Sequence, residues 1–262
     1  SVLKRIYVSK SDGTSKRVIL WKNLGIPNQI VLDPPSGHIY WSTSGEYPVI
    51  ERACLDGSNR EEFISSDQVG SPNGLAVDYD LRRLYWTDTE KQVISYTTLG
   101  RKPQIKTILH SNSNQMHSIT LFKENVYWTE LDSKLIKMAD KFNGGNQISF
   151  QDKSTKVTDA LVYHESRQRG TNVCAENNGG CSELCLYTGN TKPTCACPSH
   201  HFLSDDGRGC TEPQKFLLFG QKNKISRLLL DDKHPDEVHD LVLPVRGARD
   251  IRSLDYDPEN RL

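Results

Sequence analysis

A short aromatic strand is written three times along the chain: Ile39-Tyr40-Trp41-Ser42-Thr43, Leu84-Tyr85-Trp86-Thr87-Asp88 and Val126-Tyr127-Trp128-Thr129-Glu130. The copies recur at roughly 40 to 45 residues, a period that points to the blades of a β-propeller. Side chains alternate across a strand, so Ile39 and Trp41 project to one face and Tyr40 to the other. Such a strand must be covered on both sides, and blades stacked around an axis cover it with their neighbours.

The sequence between the copies follows strand-turn-strand grammar. Residues 1–20 read as the outer part of one blade, a hairpin around Asp12-Gly13, a dipeptide that favours a tight type I′ turn. Pro27-Asn28-Gln29-Ile30-Val31-Leu32-Asp33 reads as an inner, near-axial strand. Its echoes are Pro72-Asn73-Gly74-Leu75-Ala76-Val77-Asp78, Met116-His117-Ser118-Ile119-Thr120-Leu121-Phe122 and Val157-Thr158-Asp159-Ala160-Leu161-Val162-Tyr163. The first three of these four segments lead into a Tyr-Trp strand, then a third strand, a hairpin such as Asp56-Gly57, and a fourth strand such as Glu62-Phe63-Ile64. The count before Thr171 is about three and a half to four blades, whereas a closed ring of six needs about 250 residues. The chain is therefore expected to be cut from something longer, with upstream blades outside it.

Composition narrows the function classes. Lys plus Arg and Asp plus Glu are both 33, a balance that speaks against a nucleic-acid or membrane-surface partner. Hydrophobic residues make up 35% and aromatic residues 8%, which fits a loop-rich β fold better than disorder. The longest apolar runs, such as Phe216-Leu217-Leu218-Phe219, are too short to span a bilayer. No leader is expected either, since the chain opens on the strand-like Arg5-Ile6-Tyr7-Val8. The eight histidines show no metal spacing, and neither a nucleophile elbow nor a phosphate-cradling loop is present. His200-His201 reads as a solvated turn, and Arg246, Arg249 and Arg252, interleaved with Asp250 and Asp255, as a solvated face.

Six of the seven cysteines lie between Cys174 and Cys210, in the order Cys174, Cys181, Cys185, Cys195, Cys197, Cys210. An even cluster in a stretch with little aliphatic core is a disulfide framework and implies an oxidising compartment. Six cysteines allow fifteen pairings, and spacing alone does not choose among them. Cys54 stands apart, in a strand position where a small apolar residue packs well, and is expected to be a buried free thiol. After the cluster, Phe216-Leu217-Leu218-Phe219 and Ile225-Ser226-Arg227-Leu228-Leu229-Leu230 read as two strands, and residues 251–258 repeat the inner-strand pattern.

Tyr-Trp-Thr-Asp blades followed at once by this six-cysteine spacing resemble the low-density-lipoprotein receptor family, and the cysteine stretch resembles an epidermal-growth-factor-like module. The runs Asp159-Ala160-Leu161-Val162-Tyr163-His164-Glu165-Ser166-Arg167-Gln168 and Phe216-Leu217-Leu218-Phe219-Gly220-Gln221-Lys222 are most similar to the Wnt co-receptor, Arrow-like branch, at the end of its second propeller and the start of its third. The implied fold is all-β: a partial six-bladed YWTD propeller over residues 1–172, the module over 173–211 and the start of a second propeller over 212–262. The implied pairing is Cys174 to Cys185, Cys181 to Cys195 and Cys197 to Cys210. The implied role is the ectodomain of a single-pass receptor on the extracellular side of the plasma membrane. It would bind secreted ligands, Wnt proteins and antagonists of the Dickkopf and sclerostin types, with a Frizzled-type co-receptor in the ternary complex. Family propellers bind at the top face, which here would include Asn28, Glu46, Asn73, His117, Glu130 and Leu131. Ser44 and Leu131 stand where strongly binding family propellers often carry a Trp, so the expected site is acidic, hydrogen-bonding and without a Trp anchor, and the propeller is expected to bind weakly or to serve mainly as a spacer.

Other readings of the same residues are bland or rival. Trp41, Trp86 and Trp128 read as inter-blade core rather than a stacking site. Asp88 and Glu130 read as structural acceptors for backbone amides between blades rather than catalytic acids. Another endocytic receptor of the family is an alternative. A further one is an enzyme resembling the six-bladed calcium-dependent lactonases, with Asn73, Asn28 and His117 near the axis, but calcium wants six to eight oxygens and no carboxylate joins them. Residues 169–173 before the first module cysteine supply no carboxylate for calcium, and the chain has no Asn-x-Ser/Thr sequon. The expectation is therefore no catalytic residues, no metal and no cofactor.

Overall fold

The computed structural model describes residues 4–100, 103–113, 115–151, 157–167, 171–230, 241–243, 245, 247 and 249–254. They form an all-β chain in two compact units, one of Ser1–Arg5, Leu20–Ala175 and Leu186–Thr194, the other of Ile6–Ile19, Glu176–Cys185 and Cys195–Leu262. In chain order the strands are β1 (Ile6–Val8), β2 (Arg17–Leu20), β3 (Ile26–Asp33), β4 (His38–Ser44), β5 (Val49–Cys54), β6 (Glu61–Ile64) and β7 (Pro72–Asp78). Next come β8 (Arg83–Asp88), β9 (Val93–Thr98), β10 (Lys106–His110), β11 (Met116–Phe122), β12 (Asn125–Glu130), β13 (Leu135–Asp140) and β14 (Ile148–Gln151). The rest are β15 (Leu184–Leu186), β16 (Thr194–Ala196), β17 (Phe202–Leu203), β18 (Cys210–Thr211), β19 (Phe216–Gln221), β20 (Lys224–Leu229) and β21 (Leu241–Val242).

The first unit holds three four-stranded antiparallel blades, β3 to β6, β7 to β10 and β11 to β14, each in sequential order. The inner strands β3, β7 and β11 lie beside one another. Both faces of the Tyr-Trp strand are buried in the first two blades, while Tyr127 of the third is half-buried. Tyr40 shares a core cluster with Leu75, Val77 and Trp86 of the second blade, and Tyr85 shares one with Ile119, Leu121 and Trp128 of the third. The tyrosine of one blade thus meets the tryptophan of the next. At about 25 cal/mol per Å² and roughly 200 Å² per aromatic side chain, each Tyr-Trp pair contributes on the order of 10 kcal/mol before conformational entropy is deducted.

Two local expectations are corrected. The Asp-Gly turns are not type I′, because Gly13 and Gly57 have φ of 83° and 86° while neither Asp12 nor Asp56 has positive φ. Each aspartate instead accepts the backbone N–H two residues on, Thr14 at 2.9 Å and Ser58 at 2.9 Å, and the left-handed position falls to the glycine. Residues 157–163, expected as a fourth inner strand, belong to no strand or sheet. Ala160 and Val162 donate their N–H groups to Ser118 and Thr120 hydroxyls of β11, while Leu161 and Tyr163 are exposed. No Tyr-Trp strand follows this segment, so it has no ladder partner.

In the second unit β1 and β2 form a hairpin of their own rather than joining blade strands among the described residues. Lys10 Nζ lies 2.9 Å from Glu183 Oε2, Arg17 Nη1 donates to Cys197 O at 3.0 Å, and Ser199 N donates to Lys16 O at 2.9 Å. Cys181 is bonded to Cys195 and Cys197 to Cys210, and Cys174 and Cys185 are disulfide-bonded as well. Few apolar side chains are buried in this stretch, mainly Leu184 and Leu186, so the bridges replace a core. His200 is 1% exposed, not solvated. Its carbonyl accepts from Arg227 Nη2 of β20 at 3.3 Å. Strands β19, β20 and β21 form a three-stranded sheet. Residues 251–254, expected as an inner strand, lie in no strand, and residues 255–258 fall outside the described residues.

Candidate functional site

The sites expected at the entry of the inner strands depend on one repeated irregularity. In each blade the pairing of the inner strand with the Tyr-Trp strand slips once, between Pro27 and Ile30, between Pro72 and Leu75 and between Met116 and Ile119. Two residues there oppose one, which is a β-bulge that re-aims side chains. The bulged pairs are Asn28-Gln29, Asn73-Gly74 and His117-Ser118; opposite them sit Ser42, Thr87 and Thr129.

That opposing hydroxyl makes the bulge. Thr87 Oγ1 accepts the N–H of Gly74 at 2.9 Å and donates to His117 O of the next blade at 3.1 Å. Ser42 Oγ does the same between Gln29 N at 3.3 Å and Asn73 O at 2.6 Å, and Thr129 Oγ1 accepts Ser118 N at 3.1 Å. A Cβ on Gly74 would come within 2.4 Å of His117 O, so only glycine lets the third blade approach this closely.

The bulges bring Asn28, Asn73 and His117 to the wall of a single cavity of about 180 Å³, together with Gln29, Ser118, Thr158 and Asp159. Asn28 Nδ2 donates to Asn73 Oδ1 at 3.0 Å and to Pro72 O at 3.1 Å. Asn73 Nδ2 reaches Thr89 Oγ1 and Met116 O, each at 3.4 Å. The asparagine amides are thus spent largely on tying blades together. Among the described residues no three His, Cys, Asp or Glu side chains converge on a point that could hold a metal ion.

Glu46 is exposed in the β4–β5 loop, on the same end of the sheet, and Leu131 is half-buried at the start of the β12–β13 loop. Glu130 is a correction: it is 1% exposed and cannot offer an acidic surface. Its carboxylate accepts from Trp128 Nε1 at 3.1 Å, Ser111 Oγ at 2.9 Å, Ser133 Oγ at 3.0 Å and Lys137 Nζ at 2.9 Å. Burial alone would raise its pKa, but these donors together hold it below the usual glutamate value. Glu130 therefore takes side-chain donors, whereas Asp88 accepts the backbone N–H groups of Gly70, Ser71 and Lys91 at 2.7, 2.9 and 3.0 Å.

The rim also exposes one aromatic side chain outside the residues expected to form it. Tyr47 is 77% exposed in the loop Gly45-Glu46-Tyr47-Pro48, between a glycine at φ 114° and a proline. Ser44 Oγ, at the base of that loop, lies 3.3 Å from Asn28 Oδ1, which connects the tyrosine to the bulge residues. A tyrosine between turn-forming residues was the available sequence signal.

Residues 172 and 188–189 also pack against the first blade within the first unit. A Cβ on Gly37 would come 2.4 Å from Gly189 N, and Cys54, a free buried cysteine, places its Sγ 3.8 Å from Thr188 O. Asn172 Nδ2 donates to Pro34 O at 3.3 Å.

Known proteins resemble this chain at several points. Residues 37–79 match the family described as low-density lipoprotein receptor repeat class B, and residues 174–210 match the coagulation factor Xa inhibitory site family. Low-density lipoprotein receptor-related protein 5 of Homo sapiens is 40% identical over 216 residues, covering 82% of this chain, and that of Mus musculus is 39% identical over the same share. The chain spans 13% of the length of each of these relatives. A chain of the nidogen/laminin complex crystal structure matches with TM-score 0.56 and 28% identity, covering 61% of this chain and 60% of that one. With its class B repeat, its Tyr-Trp blades, its disulfide-bonded module and these relatives, the chain belongs to the low-density-lipoprotein receptor family.

Proposed function

We propose that this chain is part of the ectodomain of a single-pass receptor of the Wnt co-receptor branch, and that the rim carrying Tyr47 and Glu46 contacts a secreted protein ligand. The domain limits that go with it are a propeller segment over residues 1–172, a growth-factor-like module over 173–211 and the start of a second propeller over 212–262. The ligands are of the Wnt class or its Dickkopf- and sclerostin-type antagonists, with a Frizzled-type protein as co-receptor. The receptor relatives support the branch, and the nidogen match supports a protein rather than a small-molecule partner for this fold.

One observation carries the choice of surface: an exposed tyrosine beside an exposed glutamate, on a loop tied to the asparagine bulges. Tyrosine supplies large contact area at small entropic cost and is enriched among binding hot spots. Exposed charges act more on encounter rate. Glu46, Glu90, Asp132 and Asp159 outnumber the exposed Lys91 and Lys134 around the same end, so a basic partner surface fits best.

The test is binding of purified Wnt, Dickkopf-type and sclerostin-type proteins to the immobilised chain. Tyr47→Ala should weaken the complex by about 2 kcal/mol, roughly thirtyfold, chiefly through faster dissociation. Glu46→Lys should slow association at low salt and leave dissociation little changed. Equal binding by wild type and the double variant, or no binding of any of the three ligands, would remove this surface from the function.

A further inference from the structure

At the far ends of the inner strands, away from the rim, a second cavity of about 200 Å³ is walled by Tyr79, Phe122, Phe142, Asp78, Lys141 and Arg167. Its two deepest charges cancel. Lys141 Nζ lies 2.7 Å from Asp78 Oδ2 with both side chains nearly buried, and Asp78 Oδ1 accepts the N–H groups of Asp80 and Leu81 at 3.1 and 3.0 Å. That carboxylate has nothing further to give.

Arg167 is different. It enters from the 3-10 turn Glu165–Arg167, and its Nη1 donates to Thr120 Oγ1 at 2.5 Å. No ion pair joins it to a described residue, one of its five N–H donors is used among the described residues, and Arg167 lines the cavity. Burial lowers its pKa, and the attraction of Tyr79 and Asp78 does not reverse that direction. A partly desolvated guanidinium with no ion-pair contact among the described residues is an arrangement that a bound anion stabilises. The site is also held in place: Thr120 is 2% exposed, and Tyr79 is fixed by its hydroxyl on Leu32 O at 2.7 Å.

We propose that this cavity binds a monocarboxylate, gripped by the Arg167 fork and flanked by Tyr79, Phe122 and Phe142. The volume suits a short-chain acid or the tip of one acidic side chain, well below a drug-sized pocket. A single negative charge fits better than two, because Asp80 and Glu124 also line the cavity, opposed by Lys123. A carboxylate matches the planar, bidentate geometry of guanidinium.

Calorimetric titration of the chain at constant chloride tests this, with propionate, N-acetylglutamic acid α-amide, propionamide and inorganic phosphate as probes. At least one carboxylate should bind saturably, propionamide should not bind, and phosphate should bind more weakly than that carboxylate. Preference for the acetylglutamate amide identifies an acidic side chain as the source, and preference for propionate a free acid. Arg167→Lys, which keeps the charge and loses the fork, should weaken binding at least tenfold with an unchanged melt. Absence of carboxylate binding, tighter binding of phosphate, or undiminished binding by a folded Arg167→Lys protein would overturn the proposal.

Discussion

Replacing Thr87 by valine tests whether the third residue of the Tyr-Trp-Thr strand holds the blades together by its hydroxyl or by its bulk. Thr87 is wholly buried, and its Oγ1 links Gly74 N, at 2.9 Å, to His117 O of the next blade, at 3.1 Å. Valine keeps the shape but strands both groups. A buried unsatisfied donor or acceptor costs about 1 to 3 kcal/mol. Gly74 N–H bears the full penalty, whereas His117 O, at the exposed end of the strand, recovers part of its loss from water. The expected loss is therefore roughly 2 to 4 kcal/mol. Thr87→Ser keeps both hydrogen bonds and removes one methyl, a loss of about 0.8 kcal/mol plus a small cavity term, and Ser42 shows that the first blade folds with serine at this position. Urea unfolding monitored by tryptophan fluorescence resolves the two, since a slope of about 1 to 3 kcal/mol/M turns the valine loss into a midpoint shift near 1 M or more. Valine is the better strand former and the more apolar residue, so a core held by bulk alone gives the opposite order. A valine variant as stable as the serine variant would refute the hydroxyl clamp.

Two further perturbations follow from the same geometry. Gly37→Ala places a Cβ 2.4 Å from Gly189 N at a residue with φ 72°, so the Leu186–Thr194 loop should lift from the first blade; the labelling rate of Cys54 in the native protein should rise at least tenfold, against near-silence in wild type. Glu130→Gln should cost about 1 to 3 kcal/mol at neutral pH by stranding Lys137 while leaving ligand binding unchanged. Because the folded pKa of Glu130 is depressed, its contribution is present above pH 4.5 and is lost as pH falls through the folded value. The wild-type advantage over the glutamine variant should therefore shrink in acid unfolding curves, and a constant difference would contradict the buried network.

How far the sequence carried depended on whether a feature was set by neighbours in the chain or by neighbours in space. The blade register was legible because Tyr40, Tyr85 and Trp128 sit in strands whose two apolar faces admit one kind of environment. The isolation of Cys54 was legible from its distance to the six clustered cysteines. The fate of Glu130 was not. A glutamate in place of the usual aspartate reads as one more acidic rim residue, yet its extra methylene carries the carboxylate past the backbone amides that Asp88 uses, into reach of Trp128, Ser111 and Lys137. Lys137 becomes its partner only through the β12–β13 pairing.

The same distinction applies to the residues named for the rim. Asn28, Asn73 and His117 do come together, as their equal positions before successive inner strands require. What sequence spacing could not convey is that each lies in a bulge whose second residue gives its N–H to the hydroxyl of Ser42, Thr87 or Thr129. Once that hydroxyl also reaches the carbonyl of the next blade, the polar groups at the strand entries are consumed by blade-to-blade contacts, and a side chain on a loop above them is left to meet a partner. Tyr47 is in that position, with its ring exposed and the base of its loop tied to Asn28 through Ser44. Under the proposed function, recognition at this rim rests on a loop residue outside the Tyr-Trp strands, so two chains with the same Tyr-Trp blades can differ in ligand while sharing every contact that builds the fold.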